Sequence, residues 1–430
     1  MVGTTVNPPY NEDALPAYAP MEWTLKEIRS AIPSRFFVRN TPRALLYLAR
    51  DCLVAATFWT LATRIEPVAS SAYVQHLLTP RGAELLKWSA WMVYWWFQGL
   101  AFTGLWVIGH ECGHSAFSPH SIVNDSIGFV LHSCLFTPFF SWKYSHHRHH
   151  SNHASMERDE VYVPKTRSDL NIPQEVEDES IYAEILGDTP IYTLFMLIFQ
   201  QLFAFPAYLM FNVSGQKHYP KWTNHFDPSS IIFNKNQKNA VIMSNIGLLS
   251  MIAGLYYAAQ VYSFADVVKY YGIPWLCVTH WFILITYLHH TDPTLPHYRA
   301  PEWNFQRGAA ATVDRPVLGW QGRFFLHDVA HFHVIHHASP LLFFIIPRAH
   351  FASRQFFPMM PWYHGEEATQ YLKAFIGPHY ASCDKPIFPA LWESYNRCQF
   401  VEDTGDVLFY RDKTGRAVRR PAQKTQPTAS

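Results

Sequence analysis

Ala101-Phe-Thr-Gly-Leu-Trp-Val-Ile-Gly-His-Glu-Cys-Gly-His114 decides how this chain folds, because an apolar run passes unbroken into two histidines four residues apart. On a helix that spacing puts both imidazoles on one face. A helix leaving a membrane at this point carries them just beyond the bilayer. Three more windows share this character: His146-His-Arg-His-His150 with His153 beyond it, His289-His290, and His331-Phe-His-Val-Ile-His-His337. These windows hold more than half of the 24 histidines in 430 residues. Imidazole is the commonest protein ligand for iron, zinc and copper, so such crowding beside apolar segments points to a metal centre at a membrane face.

The composition agrees with a membrane protein. Charged residues make up only 16 %, and the 15 Trp, 23 Tyr and 32 Phe give an aromatic load suited to lipid–water interfaces. The formal net charge of +1 says nothing about partners, and there is no basic stripe suited to nucleic acid. Cys52, Cys112, Cys134, Cys277, Cys383 and Cys398 have no paired spacing, which favours reduced thiols over a disulfide framework. The first 40 residues are polar and proline-bearing, with no apolar core of a cleavable signal peptide. The expected organisation is an N-terminal segment over 1–40, a membrane domain over 41–415 and a disordered basic tail over 416–430.

Apolar segments run over 44–63, 88–108, 127–140, 191–213, 240–262 and 273–288. A spanning helix needs about 20 apolar residues. If all histidine windows serve one centre, they share one side of the membrane, and an even number of spans separates each pair. The 127–140 segment, between His114 and His146, must then be re-entrant or interfacial. Of the three segments between His150 and His290, one must not cross, and 191–213 is set aside because Pro206 interrupts it. The expected fold is all-α: four transmembrane helices in two hairpins, with 240–262 and 273–288 forming a compact second hairpin that ends at His289 and His290. A helical cap carries the histidines, and both termini lie on the metal side. Arg35, Arg39, Arg43 and Arg50 at the first span assign that side to the cytosol, although Arg81 and Lys87 in the opposite loop weaken the charge argument.

His110, His114, His146, His149, His150, His333, His336 and His337 stand at helical i, i+3, i+4 spacings, with His290 a ninth candidate. Structural zinc takes four ligands, so nine exceed one zinc and suit two metals. All-imidazole ligation with open positions suits iron that activates dioxygen. Metal-bound imidazoles usually donate their other N–H to a carboxylate or carbonyl, and Glu111, Asn152, Asp292 and Asp328 are the expected partners. His147, His153, His289 and His331 read as neighbours rather than ligands.

The windows, in this order, resemble those of the membrane fatty-acyl desaturases, and most closely the fungal and plant oleate Δ12-desaturase family. The resemblance is carried by His110-Glu-Cys-Gly-His-Ser-Ala-Phe-Ser118, Trp142-Lys-Tyr-Ser-His-His-Arg-His-His-Ser-Asn152, Thr286-Tyr-Leu-His-His-Thr-Asp-Pro-Thr-Leu-Pro-His-Tyr298, Thr312-Val-Asp-Arg315 and His327-Asp328. It implies a di-iron centre with dioxygen as co-substrate, at the cytosolic face of the endoplasmic reticulum. It implies electrons from cytochrome b5 and its reductase, and a fatty acyl chain on phospholipid or coenzyme A as substrate. The nine histidines above become the expected iron ligands, and oleate to linoleate becomes the default reaction. Rivals are a hydroxylase or acetylenase acting on a related chain, and a catalytically dead lipid-binding relative.

This sequence departs from the family pattern at His147, His289 and the pair His331-Phe332. The largest departure is residues 338–355, Ala-Ser-Pro-Leu-Leu-Phe-Phe-Ile-Ile-Pro-Arg-Ala-His-Phe-Ala-Ser-Arg-Gln. Removing them restores the family's run, His-His-Phe-Phe-Pro-Met-Met-Pro-Trp-Tyr. The segment therefore reads as a translated intron or an insert directly behind two expected ligands.

Overall fold

The computed structural model describes residues 10–175, 180–187, 189–338 and 360–423. The chain is an all-α membrane protein with only two-residue strands. Its helices begin with α1 (Leu25–Ala31), α2 (Thr41–Ala62), α3 (Ile65–Ala69), α4 (Ala72–Gly113), α5 (Ser121–Cys134) and α6 (Phe139–Asn152). They continue with α7 (Ser180–Leu186), α8 (Pro190–Phe211), α9 (Lys238–Val261), α10 (Phe264–Val267) and α11 (Ile273–His290). The cap adds α12 (Phe305–Ala310), α13 (Trp320–Phe325), α14 (His333–Ala338), α15 (Gly365–Ile376) and α16 (Ile387–Arg397).

α2 opens with Asn40 accepting from the Arg43 N–H at 2.9 Å, a side-chain cap for an otherwise unpaired donor. The start of α2 meets the end of α4, where Thr41 Oγ1 lies 2.8 Å from Ser118 Oγ and Arg39 donates to the Ser115 carbonyl at 2.9 Å. The two helices are therefore antiparallel. α4 breaks at Thr79 (φ 62°) ahead of Pro80, and the helix that follows runs to Gly113. That run is about 50 Å long, against a hydrocarbon core of about 30 Å, so its final turns stand clear of lipid and carry His110 and His114. α4 also crosses α11 closely. A Cβ at Gly99 would sit 2.4 Å from Cys277 Cβ, so only glycine permits this approach.

As parity requires, the 127–140 stretch does not continue across. α5 stops after 14 residues and α6 turns back. The tip is held at the start of α11, where Tyr271 OH donates to the Cys134 carbonyl (2.6 Å) and Trp275 Nε1 to the Leu135 carbonyl (3.1 Å). The expected compact hairpin of α9 and α11 takes another form. α9 leans on α5 and α6, which occupy the place a tightly paired α11 would fill.

By length and composition, four helical stretches are able to cross a membrane among the described residues: 41–69, 180–211, 235–261 and 264–290. The number matches expectation, but the membership differs, since α8 is included and α4 is not. The Trp and Tyr side chains of α4 lower its hydropathy without shortening it. Contacts discriminate between the two. At one end of α8, Lys413 Nζ donates to Thr193 Oγ1 (2.9 Å). At the other, Tyr208 OH bonds Ser145 Oγ on α6 (3.0 Å). The segment before Lys413 pairs with the stretch that follows α11, Leu408 with His297, so Lys413 lies with the cap and both ends of α8 touch it. We read α8 as lying along the cap with its lipid-facing stripe, Ile191, Leu194, Ile198 and Phe199, exposed.

The cap core joins Met21, Ile28 and Phe36 to Val334 and Ile335 of α14 and to Leu372 and Ile376 of α15. The segment from Arg416, expected to be disordered, is ordered through residue 423: Arg420–Pro421 pairs in parallel with Ala17–Tyr18. The pairing fills backbone hydrogen bonds that a basic composition does not forecast. Residues 339–355 of the suspected insert lie outside the described residues. With Cys52 and Cys134 replaced, cysteines at Ile191 and Val213 should react with an impermeant maleimide from one and the same face, and cysteines at Ser70 and Tyr262 from the other. Labelling of 191 and 213 from opposite faces would show α8 to cross.

Candidate metal centre

Four helices deliver the nine expected histidines to one place. His110, His114, His146, His150 and His336 form one group whose ligand atoms all lie within 4.8 Å of one another, and His149, His290 and His337 form a second. His333 joins the second group, its Nε2 3.4 Å from His290 Nε2. α6 divides its ligands by helical geometry: His146 and His150, one turn apart, face the first group, and His149 faces the second. α14 divides likewise, with His336 on the first group and His333 and His337 on the second. The groups adjoin, with the His150 and His337 rings stacked at 4.0 Å.

The donor set fits a cation. His146 Nε2 lies 3.0 Å from His110 Nε2, 3.0 Å from His114 Nε2 and 3.1 Å from His150 Nε2. An imidazole nitrogen carries at most one hydrogen, so four nitrogens this close leave lone pairs facing one another unless a positive ion sits among them. His336 Nε2 and both ring nitrogens of His337 are buried without a hydrogen-bond partner. Burial, reinforced by repulsion from neighbouring imidazoles, pushes His146, His150, His333 and His337 well below the usual histidine range. Burial pushes His336 to about 3. The rings are therefore neutral, as ligation requires.

Of the four expected partners of these rings, Glu111 holds the role: its Oε1 lies 3.0 Å from His110 Nδ1 and 3.6 Å from His336 Nδ1. The other three do not touch the nine. Asn152 donates to the Arg148 carbonyl of its own helix at 2.9 Å. Asp292 pairs with Arg315 at 2.6 Å, and Arg315 Nε holds the Leu288 carbonyl at 2.9 Å, so its effect on His290 runs through the end of α11. Asp328 lies nearest Arg323, at 3.4 Å. The carboxylate that sequence reasoning missed is Asp159, fully buried, which accepts from His149 Nδ1 at 3.0 Å and from the Val161 N–H at 3.0 Å. Its only signal is the acidic run 157–160 after the second window, and nothing in that run separates Asp159 from Glu157 or Glu160.

The remaining clustered histidines behave as neighbours. His147 Nε2 lies 2.9 Å from the Gly113 carbonyl and His153 donates to the Gly308 carbonyl at 2.7 Å. His289 is bracketed by the carbonyls of Ile285 and Ala330 at 2.6 and 2.9 Å, so neither ring nitrogen is open to a metal. His331 lies 3.6 Å from Asp328. Against the histidines lies a cavity of about 180 Å³ between α4, α8 and α11. Trp106, Phe205, Phe282 and Ile285 make its walls apolar, and His110, His146, His149, His290 and His333 stand on one side of it. It is the shape of site that takes an apolar chain and exposes part of it to a metal.

Comparison with known proteins gives this geometry its family. Residues 89–386 match the family model described as Fatty acid desaturase. A Delta(12) fatty acid desaturase of Mortierella isabellina is 40% identical over 396 residues, covering 91% of this chain and 91% of that protein. An oleate hydroxylase of Claviceps purpurea is 37% identical over 440 residues, covering 95% and 85%. An omega-6 fatty acid desaturase of Brassica juncea, named as of the endoplasmic reticulum, is 38% identical over 396 residues, covering 91% and 92%. With a metal-ready histidine centre opening on an apolar cavity, this chain belongs to the fatty acid desaturase family and is an oxidoreductase of fatty acyl chains.

Proposed function

We propose that the enzyme converts oleate to linoleate, using two iron ions and dioxygen. The first histidine group holds one iron, and the second group, completed by His333, holds the other. The observation that carries this reading is the apolar cavity that ends on five of the nine histidines. The relatives named as Delta(12) desaturases supply the bond position. An unactivated methylene has no acidic hydrogen, so the chain's own acids and bases cannot start the reaction. Iron with dioxygen, when bound, supplies the removal of hydrogen atoms from adjacent carbons. The protein supplies the rest. Trp106, Phe205 and Phe282 hold the chain against the centre, α8 closes the cavity's flank, and Glu111 and Asp159 fix the tautomers of His110 and His149.

The electron donors in this reading are cytochrome b5 and its reductase, and the acyl carrier is phospholipid or coenzyme A. The histidines face the cytosol from the endoplasmic reticulum membrane, in accord with the arginines before α2 and with the location named for the Brassica relative. The working domain runs over 41–415, held by the 1–40 segment. Residues 338–355 do not contribute to the working enzyme: Ile335, before them, and Met360, after them, belong to the same apolar cluster. The hydroxylase reading rests on the Claviceps relative and predicts an oxygenated product instead.

Expression in yeast with fatty-acid profiling by mass spectrometry should reveal a new linoleate peak, and deletion of 338–355 should give at least as much. Hydroxy acids instead of dienes would transfer the assignment to the hydroxylase reading, and loss of activity on deletion would return the segment to the working protein. Asp159→Asn should weaken iron binding about 10–100-fold, as loss of a ligand's outer partner does. Asn152→Ala should leave iron content unchanged, and an equal loss in both would remove Asp159 from its role. Ala204→Phe, on the cavity wall, should lower turnover of long chains with iron retained. Unchanged turnover would move the acyl chain elsewhere.

A further inference from the structure

A second, smaller cavity touches the histidine centre from the side opposite the acyl cavity. It has room for about 40 Å³, enough for water, and Glu111, His114, His327, Asp328, His336 and Trp362 are on its wall. The two cavities share no histidine: His110, His146, His149, His290 and His333 border the acyl side, His114 and His336 border the small one, and His150 and His337 border neither. Val329 is the one residue on both walls.

Val329, Phe332 and Ile335 give the small cavity an apolar share of wall, but several polar atoms on it have no hydrogen bond to protein. His114 is 3% exposed, yet its Nδ1 has no hydrogen-bond partner. A ligating imidazole normally donates that N–H. Trp362 Nε1 is likewise buried without a hydrogen bond, and so is Asp328 Oδ1, whose nearest cation is Arg323 at 3.4 Å. A donor on His114, a donor on Trp362 and an acceptor on Asp328 around a water-sized space are the partners a bound water needs. The wall is held in position from the first span. His327 Nε2 lies 2.6 Å from Asp51 Oδ2, and Arg50 donates to the Phe324 carbonyl at 2.8 Å. That anchoring keeps His327 and Asp328 in left-handed backbone at φ 52° and 60°.

We propose that this cavity is the water port of the centre, through which solvent protons arrive and product water leaves, and that Val329 is the partition that keeps the acyl cavity dry. The proposal rests on the desaturase chemistry above. In that reaction one dioxygen, two electrons from the donor protein and two protons are consumed. Two C–H bonds break, one C=C bond forms, and both oxygens leave as water. Proton entry and water exit are thus obligatory, and the apolar cavity is unsuited to either.

The test uses the full chain loaded with redox-inert zinc, which needs no turnover. A high-resolution cryo-EM map should show water within hydrogen-bond distance of His114 Nδ1 and Trp362 Nε1, and none beside Val107 and Phe282. A dry small cavity, or water in both cavities, overturns the proposal. In the iron-loaded enzyme, Val329→Ala joins the two spaces, and dioxygen consumed per double bond should rise several-fold at unchanged metal content. Val329→Ile should match the parent chain, which separates leakage from a packing defect. A ratio unchanged in Val329→Ala also overturns the proposal. If the parent chain forms no double bond at all, the functional reading fails, and the zinc map still decides the port.

Discussion

Crowded neutral imidazoles repel one another through their lone pairs, and this is the constraint on which the rest of the structure depends. The Nε2 atoms of His110, His114, His146 and His150, from α4 and α6, are stable together only about a cation, and His336 of α14 joins their group. Bringing those helices together requires that each end on the same side of the membrane. From that requirement follow the reversal of α5 into α6 and the overhang of α4 beyond the lipid. A cap whose apolar core packs against α14 from behind follows from it as well. The carboxylates are sparse for the same reason. Glu111 and Asp159 each meet a ring nitrogen turned away from the metal, so negative charge tunes the ligands without competing for their place.

That the nine histidines would gather was legible because histidines repeated at i, i+3, i+4 beside apolar runs rarely serve anything but a metal. Their division into two groups was not, since it depends on how α14 is turned, and six residues of α14 carry no amphipathic signal that sets it. The partners of the ligands were mostly misread. Asn152, Asp292 and Asp328 are near the windows in sequence, but a side chain's reach is set by the fold, and Asp159 arrives from a loop. The re-entrant stretch followed from parity alone. Hydropathy, by contrast, cannot tell α4 from α8, because tryptophan and tyrosine lower the average of a crossing helix and lipid-facing phenylalanine raises that of one resting on the cap. The pairing of α9 with α5 and α6 was equally hidden: adjacency in sequence suggested α11, and packing chose otherwise.

The centre borders two cavities, one walled by apolar rings and one with unpaired polar atoms, and the difference suits a reaction whose substrate is insoluble in water and whose by-product is water. The acyl side is walled by aromatic rings from three helices. The other side is closed by residues the first span holds in strained backbone. A membrane enzyme of this kind needs more than ligands: it needs a partition, and the partition is as much a part of the site as the metal.

The parallel pairing of Ala17–Tyr18 with Arg420–Pro421 closes the chain into a belt. Tyr18 OH continues it to Tyr298 OH at 2.8 Å, and Met21, three residues on, lies in the cluster that backs Val334 and Ile335. Contacts of such long range form late, because the entropy of closing the loop must be met before they contribute. The strand that carries the chain into Met21, behind the last histidine window, is therefore pinned only when residues 420–421 have returned to it. By this argument the pairing of 17–18 with 420–421 is a late step that follows entry of the spans into the membrane, and it ties a segment before the first span to one after the last.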